Sequence, residues 1–167
     1  MVVEISGSGR YLGEDLEAPV GTVRVSGSGE AVVNGGNVAK FDEAKAMIDQ
    51  AVDTFGDINI VVNNAGILRD RMLTNMSEAE WDDVIRVHLK GHFCVSRHAA
   101  AYWRGQVKAG EEVDARIINT SSGAGVLGSV GQSSYSAAKA GIMGFTRSLS
   151  RWAAPRGVLV NAVAPGY

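Results

Sequence analysis

The sequence predicts an α/β fold built on a doubly wound parallel sheet. Two stretches, Ile58–Val62 (INIVV) and Val158–Val163 (VLVNAV), are almost wholly apolar and rich in β-branched residues, as buried parallel strands are. Helical patterns lie before and between them, and such alternation of strand and helix indicates crossover connections. The 21 glycines against 3 prolines are typical of tight strand–helix connections.

The first two predicted helices have clear boundaries. Apolar side chains recur at three- and four-residue steps through Phe41, Ala44, Ile48, Val52 and Phe55. Gly56 follows as a stop signal. The second helix begins at a capping box formed by Ser77 and Glu80, flanked by an apolar staple, and extends to about Arg104.

The remaining elements follow from the same patterns. A strand surrounds Ile117–Ile118, and a polar surface loop, Lys108–Asp114, precedes it. A third helix covers Ser134–Ala153, and Pro155 and Gly157 end it.

Composition excludes several classes of protein. A length of 167 residues fits a single domain, 1–167, with its own core. The formal net charge of −2, without a Lys/Arg cluster, argues against nucleic-acid binding. Cys94 is the only cysteine, which favours a reducing, cytoplasmic location. No stretch has the length of a membrane span, no signal peptide is recognisable, and we predict no metal site.

Three polar residues near the third helix suggest acid–base chemistry. Tyr135 and Lys139 are four residues apart, so a helix places them on one face. A nearby ammonium favours the phenolate form of a tyrosine, which can then exchange a proton with an alcohol or carbonyl oxygen. Ser122, at the end of a predicted strand, could donate a hydrogen bond to the same oxygen. Taken alone, the pair also fits two ordinary helix neighbours.

Two short motifs follow predicted strands directly. Asn63–Gly66 (NNAG) comes after Ile58–Val62, and Pro165-Gly166 comes after Val158–Val163. The carboxyl ends of parallel strands line the crevice in which open α/β sheets bind ligands, and small residues there let a ligand approach the backbone. An isolated NNAG would equally fit a simple turn.

The order of these motifs resembles the short-chain dehydrogenase/reductase family from about Gly29 to Tyr167. The stretches NNAGILRDRM, VHLKGHF and GQSSYSAAKAG are similar to its (3R)-hydroxyacyl-CoA dehydrogenase branch. The resemblance implies a Rossmann-like three-layer αβα sheet, an NAD or NADP cofactor, and an alcohol/ketone or acyl thioester substrate. It also implies homodimers or homotetramers formed through the second and third helices.

The resemblance assigns roles to residues as well. Tyr135 would be the general acid/base, Ser122 would position the substrate oxygen, and Lys139 would favour the phenolate and bind the nicotinamide ribose. The remaining cofactor contacts implied are Asn37, Val38, Asn63, Asn64, Ala65, Gly66, Pro165 and Gly166. His88 stands where many members have an asparagine that holds a relay water; a buried core histidine is the alternative.

The chain departs from the family near its start. SGSGRYLG aligns with the glycine motif through Gly7 and Gly13, but Tyr11 replaces the glycine that approaches the pyrophosphate. Glu14–Ser28 is short for the elements expected there, with TVRV (22–25) as a strand candidate. Asn37 replaces the usual aspartate, although an amide can also accept a hydrogen bond.

Two functions therefore stay open, because the fold is expected to be incomplete, with a shortened N-terminal unit and no last strand. One is an NAD(P)-dependent oxidoreductase. The other is a truncated relative that binds or assembles without catalysis. A third possibility is that the chain is one piece of a longer enzyme.

Overall fold

The computed structural model describes the backbone of residues 2–5 and the whole of residues 32–165. In chain order the elements are β1 (Val2–Ile5), α1 (Phe41–Phe55), β2 (Ile60–Asn63), α2 (Glu78–Ile85), α3 (Gly91–Lys108), β3 (Ala115–Thr120), α4 (Gly123–Leu127), α5 (Ser133–Ala153) and β4 (Val158–Val163). A π-helical segment, Arg86–Lys90, joins α2 to α3. The predictions for Gly7, Tyr11, Gly13, the strand at 22–25 and Gly166 lie outside the described residues.

The described strands form one parallel sheet in the order β1-β2-β3-β4. β1 pairs with β2 from Val2 opposite Ile60 to Ile5 opposite Asn63. β2 pairs with β3, and β3 with β4, also in parallel. The three carboxyl ends at Asn63, Thr120 and Val163 therefore meet at one edge of the sheet, as the predicted fold requires.

The main core lies between this sheet and helices α1, α3 and α5. Alternate strand residues, such as Val61, Ile117 and Val160, point into it, and Trp103 from α3 is its largest fully buried side chain. The Trp103 indole N–H donates to the carbonyl oxygen of Ile58 at 2.7 Å. A buried indole thus keeps its hydrogen bond while its ring fills the core.

Side chains on the opposite sheet face are less covered. Leu159 and Val163 are 47% and 44% exposed, and Ile60, Val62 and Ile118 are half-buried. The helices in the described ranges contribute one layer, on the core side of the sheet. The structure is thus a partial Rossmann-like domain, consistent with the incomplete fold that the sequence predicts.

Helix boundaries agree closely with the sequence patterns. Gly56 ends α1 in the left-handed conformation (φ 81°), with its N–H bonded to the Val52 carbonyl. The predicted capping box is present, because Ser77 Oγ accepts from the Glu80 N–H at 3.2 Å while the Glu80 carboxylate accepts from the Ser77 N–H at 2.9 Å. The helix predicted to end near Arg104 extends to Lys108 and is interrupted by the π-helical segment.

No helix in the described ranges is long and apolar enough to cross a lipid bilayer.

Candidate active site

Tyr135 and Lys139 lie side by side on α5, as their spacing predicts. The Lys139 ammonium nitrogen lies 5.4 Å from the centroid of the Tyr135 ring. It donates a hydrogen bond of 2.6 Å to the carbonyl oxygen of Thr120, the last residue of β3. The lysine side chain is therefore held between its own helix and the carboxyl end of the central strand.

The Lys139 side chain is buried, which is unusual for a lysine. The residue is 3% exposed, and burial lowers its pKa from 10.5 to about 8. It is still mostly protonated at neutral pH, so the Tyr135 ring has a partly desolvated cation beside it.

Ser122 follows β3 by two residues and begins the short helix α4. Its hydroxyl oxygen accepts from the Ala124 N–H at 3.2 Å, which caps the helix. The side chain is half-buried. A hydroxyl that accepts one hydrogen bond keeps its own proton for donation, so Ser122 can both cap α4 and donate to a substrate oxygen.

His88 lies in the π-helical segment and closes the other side of Tyr135. The two rings meet edge to face, with centroids 5.2 Å apart. His88 Nε2 lies 2.7 Å from the Ile67 carbonyl oxygen and 3.1 Å from the Ile67 nitrogen. We assign the ring proton to Nε2, donating to the carbonyl, because two acceptor atoms 2.7 Å apart would repel each other.

The imidazole of His88 is neutral. Burial, together with the Lys139 charge, lowers its pKa to about 4 against the opposing effect of the bond to Ile67. Within the described residues its Nδ1 atom is buried without a hydrogen-bond partner. The ring thus has an unused acceptor beside Tyr135.

The NNAG motif is split between core and surface. The Asn63 side chain is 3% exposed and points into the core, whereas Asn64 is exposed. Ala65 is buried, and a Cβ on Gly66 would overlap the His88 ring. In this structure Gly66 is needed for the approach of His88, a purpose that the motif alone does not indicate.

The predicted adenine-side residues shape the turn before α1. The Asn37 side-chain oxygen accepts from the Ala39 N–H at 2.9 Å, and the Asn37 N–H donates to the Glu43 carboxylate at 2.6 Å. Val38 is buried against Gly91 of α3, where an added Cβ would lie 2.9 Å from Val38 Cγ2. Pro165 is exposed, two residues beyond β4.

Sequence reasoning missed a set of buried polar side chains beneath these residues. His92 follows His88 by one turn and is 2% exposed; burial, together with the Lys139 charge, lowers its pKa to about 3. The others are Ser96, Asn119 and Thr146. The available signal was a polar residue at positions of the helix and strand patterns that otherwise face the core.

The contact between α4 and α5 is so close that position 125 has no room for a Cβ atom, which a substitution can test. A Cβ at Gly125 would lie 2.8 Å from Lys139 Cβ and 2.9 Å from the Ala140 nitrogen, whereas a Cβ at Gly123 meets nothing within 4 Å. We expect Gly125→Ala to cost about 1–3 kcal/mol of unfolding free energy by forcing α4 away from α5. Gly123→Ala in the same helix should be neutral or stabilising, by up to about 1 kcal/mol. Chemical denaturation measures both, and equal effects would contradict the tight contact.

The buried histidines predict acid sensitivity. Between pH 6.5 and about 4 the unfolded chain binds protons at His88 and His92 that the folded chain excludes, so stability falls as pH falls through this window. The loss should approach about 3 kcal/mol for His88 alone. His92→Gln removes one of the two groups, so its free energy of unfolding should change less between pH 6.5 and 4.5. An unchanged pH slope in that variant would show that His92 does not contribute.

Comparisons with known proteins agree with this geometry. A family profile described as short chain dehydrogenase matches residues 10–167. The chain is 46% identical over 153 residues to the hydroxyacyl-CoA dehydrogenase ChsB1 of Mycobacterium tuberculosis, covering 90% of this chain and 48% of that protein. It is 44% identical over 155 residues to the 3-oxoacyl-[acyl-carrier-protein] reductase FabG of Staphylococcus aureus, covering 92% and 60%. The chain thus spans about half the length of these relatives.

A solved structure gives the same result. A short chain dehydrogenase from Mycobacterium avium superposes with a TM-score of 0.81 and 62% sequence identity, covering 83% of this chain and 47% of that one. A parallel sheet with polar residues at its carboxyl edge is the arrangement in which open α/β proteins bind their ligands. The chain belongs to the short-chain dehydrogenase family, whose members are oxidoreductases acting on CH–OH groups, as the sequence resemblance predicts.

Proposed function

We propose that this chain carries the catalytic centre of an NAD(P)-dependent oxidoreductase that interconverts a secondary alcohol and a ketone. The observation that carries the proposal is the grouping of Tyr135 with the buried Lys139 ammonium, 5.4 Å from its ring, and His88, 5.2 Å away ring to ring. Lys139 is bonded to the end of the strand that Ser122 follows. The proposed acid/base, the cation beside it and the strand end before the proposed hydroxyl donor are therefore connected through Lys139.

In the oxidative direction Tyr135, acting as the base, takes the hydroxyl proton of the alcohol. Ser122 donates a hydrogen bond to the same oxygen and orients it. The carbinol C–H bond breaks, its electron pair leaves with the hydrogen, and the C=O bond forms. The nicotinamide, when bound, supplies the hydride-accepting carbon, and it supplies the hydride in the reverse direction. In that direction Tyr135 returns the proton to the oxygen.

The donor set fits a dinucleotide. The Lys139 ammonium has three N–H donors, one of which goes to Thr120, and ribose hydroxyls are suitable acceptors for the others. Asn64, Ala65 and Gly66 follow β2 with short side chains, which lets a ligand approach the backbone. Asn37, Val38, Pro165 and Gly166 are proposed along the same cofactor, as are Gly7 and Gly13 at its pyrophosphate.

His88 is proposed to orient Tyr135 by packing edge to face on its ring. Its own ring is neutral, its Nε2–H is held by Ile67, and its Nδ1 is a buried acceptor without a partner among the described residues. A neutral imidazole held in one tautomer can accept a hydrogen bond at the second nitrogen.

The proposed substrate is a 3-hydroxyacyl or 3-oxoacyl thioester. Exposed apolar side chains, here called the apolar rim, lie on the segment after β2 and on the segment from α4 to α5: Leu68, Met72, Leu73, Val126, Leu127 and Val130. Each of these side chains is at least 55% exposed, and Leu127 is 88% exposed. The two segments are tied by Arg71 N–H to the Gly131 carbonyl at 2.8 Å. An acyl chain could cover this rim, and two relatives are named for hydroxyacyl and oxoacyl substrates.

The direct test is turnover. The chain is incubated with acetoacetyl-CoA and either NADH or NADPH, and loss of the reduced-nicotinamide absorbance is followed. Consumption that needs both substrate and cofactor supports the proposal. A ketone of similar size without the thioester separates acyl-thioester specificity from general ketone reduction.

The alternative is a relative that folds and associates but does not catalyse. Quenching of intrinsic fluorescence from the 3 tryptophans by NADH or NADPH distinguishes the two functions. Saturable binding at about micromolar concentration supports the enzyme. No binding up to about millimolar concentration supports the alternative.

We also propose a cytoplasmic location, supported by the single, buried Cys94.

A second copy of the chain is proposed to cover an apolar groove between α3 and α5. Its apolar lining consists of Phe93, Ala100, Ala101, Phe145, Leu149 and Trp152. Phe93 is 44% exposed and Trp152 36% exposed. The surface of one α3–α5 pair can pack against the same surface of a second copy related by a twofold axis.

We expect a dimer or tetramer in sedimentation velocity, and Phe93→Glu should shift it to monomer. Leu127→Glu places the same charge outside the groove and should leave the assembly intact; a wild-type monomer would contradict this proposal.

A further inference from the structure

Four buried polar side chains form a continuous hydrogen-bonded chain through the core, here called the amide chain. Asn63 Nδ2 donates to Ser96 Oγ and to Asn119 Oδ1, both at 2.9 Å. Asn119 Nδ2 donates to Thr146 Oγ1 at 2.9 Å, and that hydroxyl donates to the Ile142 carbonyl at 2.8 Å. One network thus connects β2, β3, α3 and α5.

The amide chain is fully enclosed. Ser96 and Asn119 are 0% exposed, Asn63 is 3% and Thr146 is 6% exposed. Core residues such as Cys94, Val95 and Ile117 lie on the same side of the sheet. Apolar side chains could fill this space without the cost of removing polar groups from water. Stability alone therefore does not explain why polar side chains are buried here.

That reason lies in their directionality. Asn63 and Asn119 are direct register partners on neighbouring strands, and each donates in turn, so both amide groups have a single orientation. Dispersion contacts tolerate a helix sliding along a sheet more easily than a buried hydrogen bond does, because a displaced bond leaves an unpaired polar group. The amide chain therefore holds both helices at one depth on the sheet.

The depth of these helices determines where the proposed reacting groups lie. Thr146 comes seven residues after Lys139, two turns further along the same face of α5. Ser96 comes eight residues after His88, about two turns further along the same helical stretch. Asn119 directly precedes Thr120, whose carbonyl holds the Lys139 ammonium.

We propose that the amide chain is a positioning device for the site, in which Thr146 sets the place of Lys139 and Ser96 sets the place of His88. The inference rests on the proposed function for its purpose. Its geometric content, that each hydroxyl controls the environment of the nearer reacting residue, can be measured without substrate or cofactor.

The first test compares three α5 variants. Thr146→Val keeps the shape and removes the hydroxyl, Thr146→Ser keeps the hydroxyl, and Ile142→Val trims the buried neighbour one turn away without touching a hydrogen bond. Titration of Lys139 is followed by NMR of ¹³C-labelled lysine, and K139R assigns the signal.

We expect Thr146→Val to raise the pKa of Lys139 from about 8, because a loosened helix lets water reach the ammonium. The acid dissociation constant of Lys139 should fall at least about threefold. Thr146→Ser and Ile142→Val should titrate like wild type.

The second test uses the other end of the network and decides the matter if Thr146→Val does not fold. Ser96→Ala should raise the pKa of His88 from about 4 and leave Lys139 unchanged, whereas Thr146→Val should move mainly Lys139. Both histidine titrations, of His88 and of His92 between these groups, are followed by NMR of ¹³C-labelled histidine. If both hydroxyl variants lose thermal stability as Ile142→Val does while neither titration moves, the amide chain only stabilises the fold and the inference is overturned.

Turnover separates this inference from the proposed function. In a chain that turns over substrate, Thr146→Val should lower kcat about tenfold with KM little changed, and Thr146→Ser should restore it. If wild type shows no turnover but the titrations move as expected, the positioning stands and the proposed function fails. If wild type turns over and neither kcat nor the titrations respond, the positioning fails alone.

Discussion

Tyr135→Phe is expected to lower turnover by about 10²–10⁴-fold while leaving the fold intact. The change removes only the phenolic oxygen, which is the atom proposed to move the proton. The ring that packs edge to face on His88 and lies beside the Lys139 ammonium is kept. Steady-state assay with acetoacetyl-CoA, together with thermal unfolding of the same preparation, measures both effects.

A matched control is available in the same molecule. The Tyr102 hydroxyl on α3 donates to the Asp57 carboxylate at 3.0 Å. Neither residue belongs to the proposed site. Tyr102→Phe should cost about 1 kcal/mol of stability, because it removes a partner of Asp57, and should leave turnover unchanged. Full activity in Tyr135→Phe would remove this tyrosine from the reaction, and equal loss in both variants would indicate a general effect on folding.

The largest effect on stability is expected for Gly157→Ala. Gly157 has φ of 75°, and an added Cβ would overlap the carbonyl oxygen of Val113. Its own carbonyl accepts from the Ala115 N–H at 2.9 Å, so it aligns the start of β3 with that of β4. The chain must therefore move at a point where two strands begin, and we expect a loss of about 3 kcal/mol or more in denaturant unfolding.

Gly110→Ala separates the two causes of this loss. Gly110 has φ of 85°, but a Cβ there meets nothing within 4 Å. Gly110→Ala should lower the free energy of unfolding only by the cost of the left-handed backbone conformation, about 1–2 kcal/mol. If both variants lose the same amount, the contact with Val113 contributes nothing and the conformation alone explains the effect.

Most helix and strand boundaries could be read from local sequence. The αL glycine after α1, the capping box before α2 and the strand at Val158–Val163 are confirmed as predicted. Local signals of this kind depend on a few neighbouring residues, so no distant contact is needed to read them.

The discrepancies have long-range causes. The strand predicted from Ile58 begins at Ile60, because the Ile58 N–H bonds to the Asp57 side chain and its carbonyl accepts from Trp103. Helix α4 has no apolar period; it forms where Ser122 caps it and Gly125 lets it pack on α5. The π-helical turn at Arg86–Lys90 likewise has no sequence signal that we recognised.

The sequence by itself predicted the alternation of the main strands and helices and the pairing of Tyr135 with Lys139, since both depend on local spacing along the chain. It also predicted the family, through the resemblance of its motifs. Tertiary structure decided the rest: that Asn63 faces the core instead of the crevice, that Gly66 gives room to His88, and that Asn119 and Thr146 join the network beneath Lys139. These relations connect residues up to 56 positions apart. They arise only when parallel strands align in register, because then side chains distant in the chain become neighbours and buried polar groups must find partners.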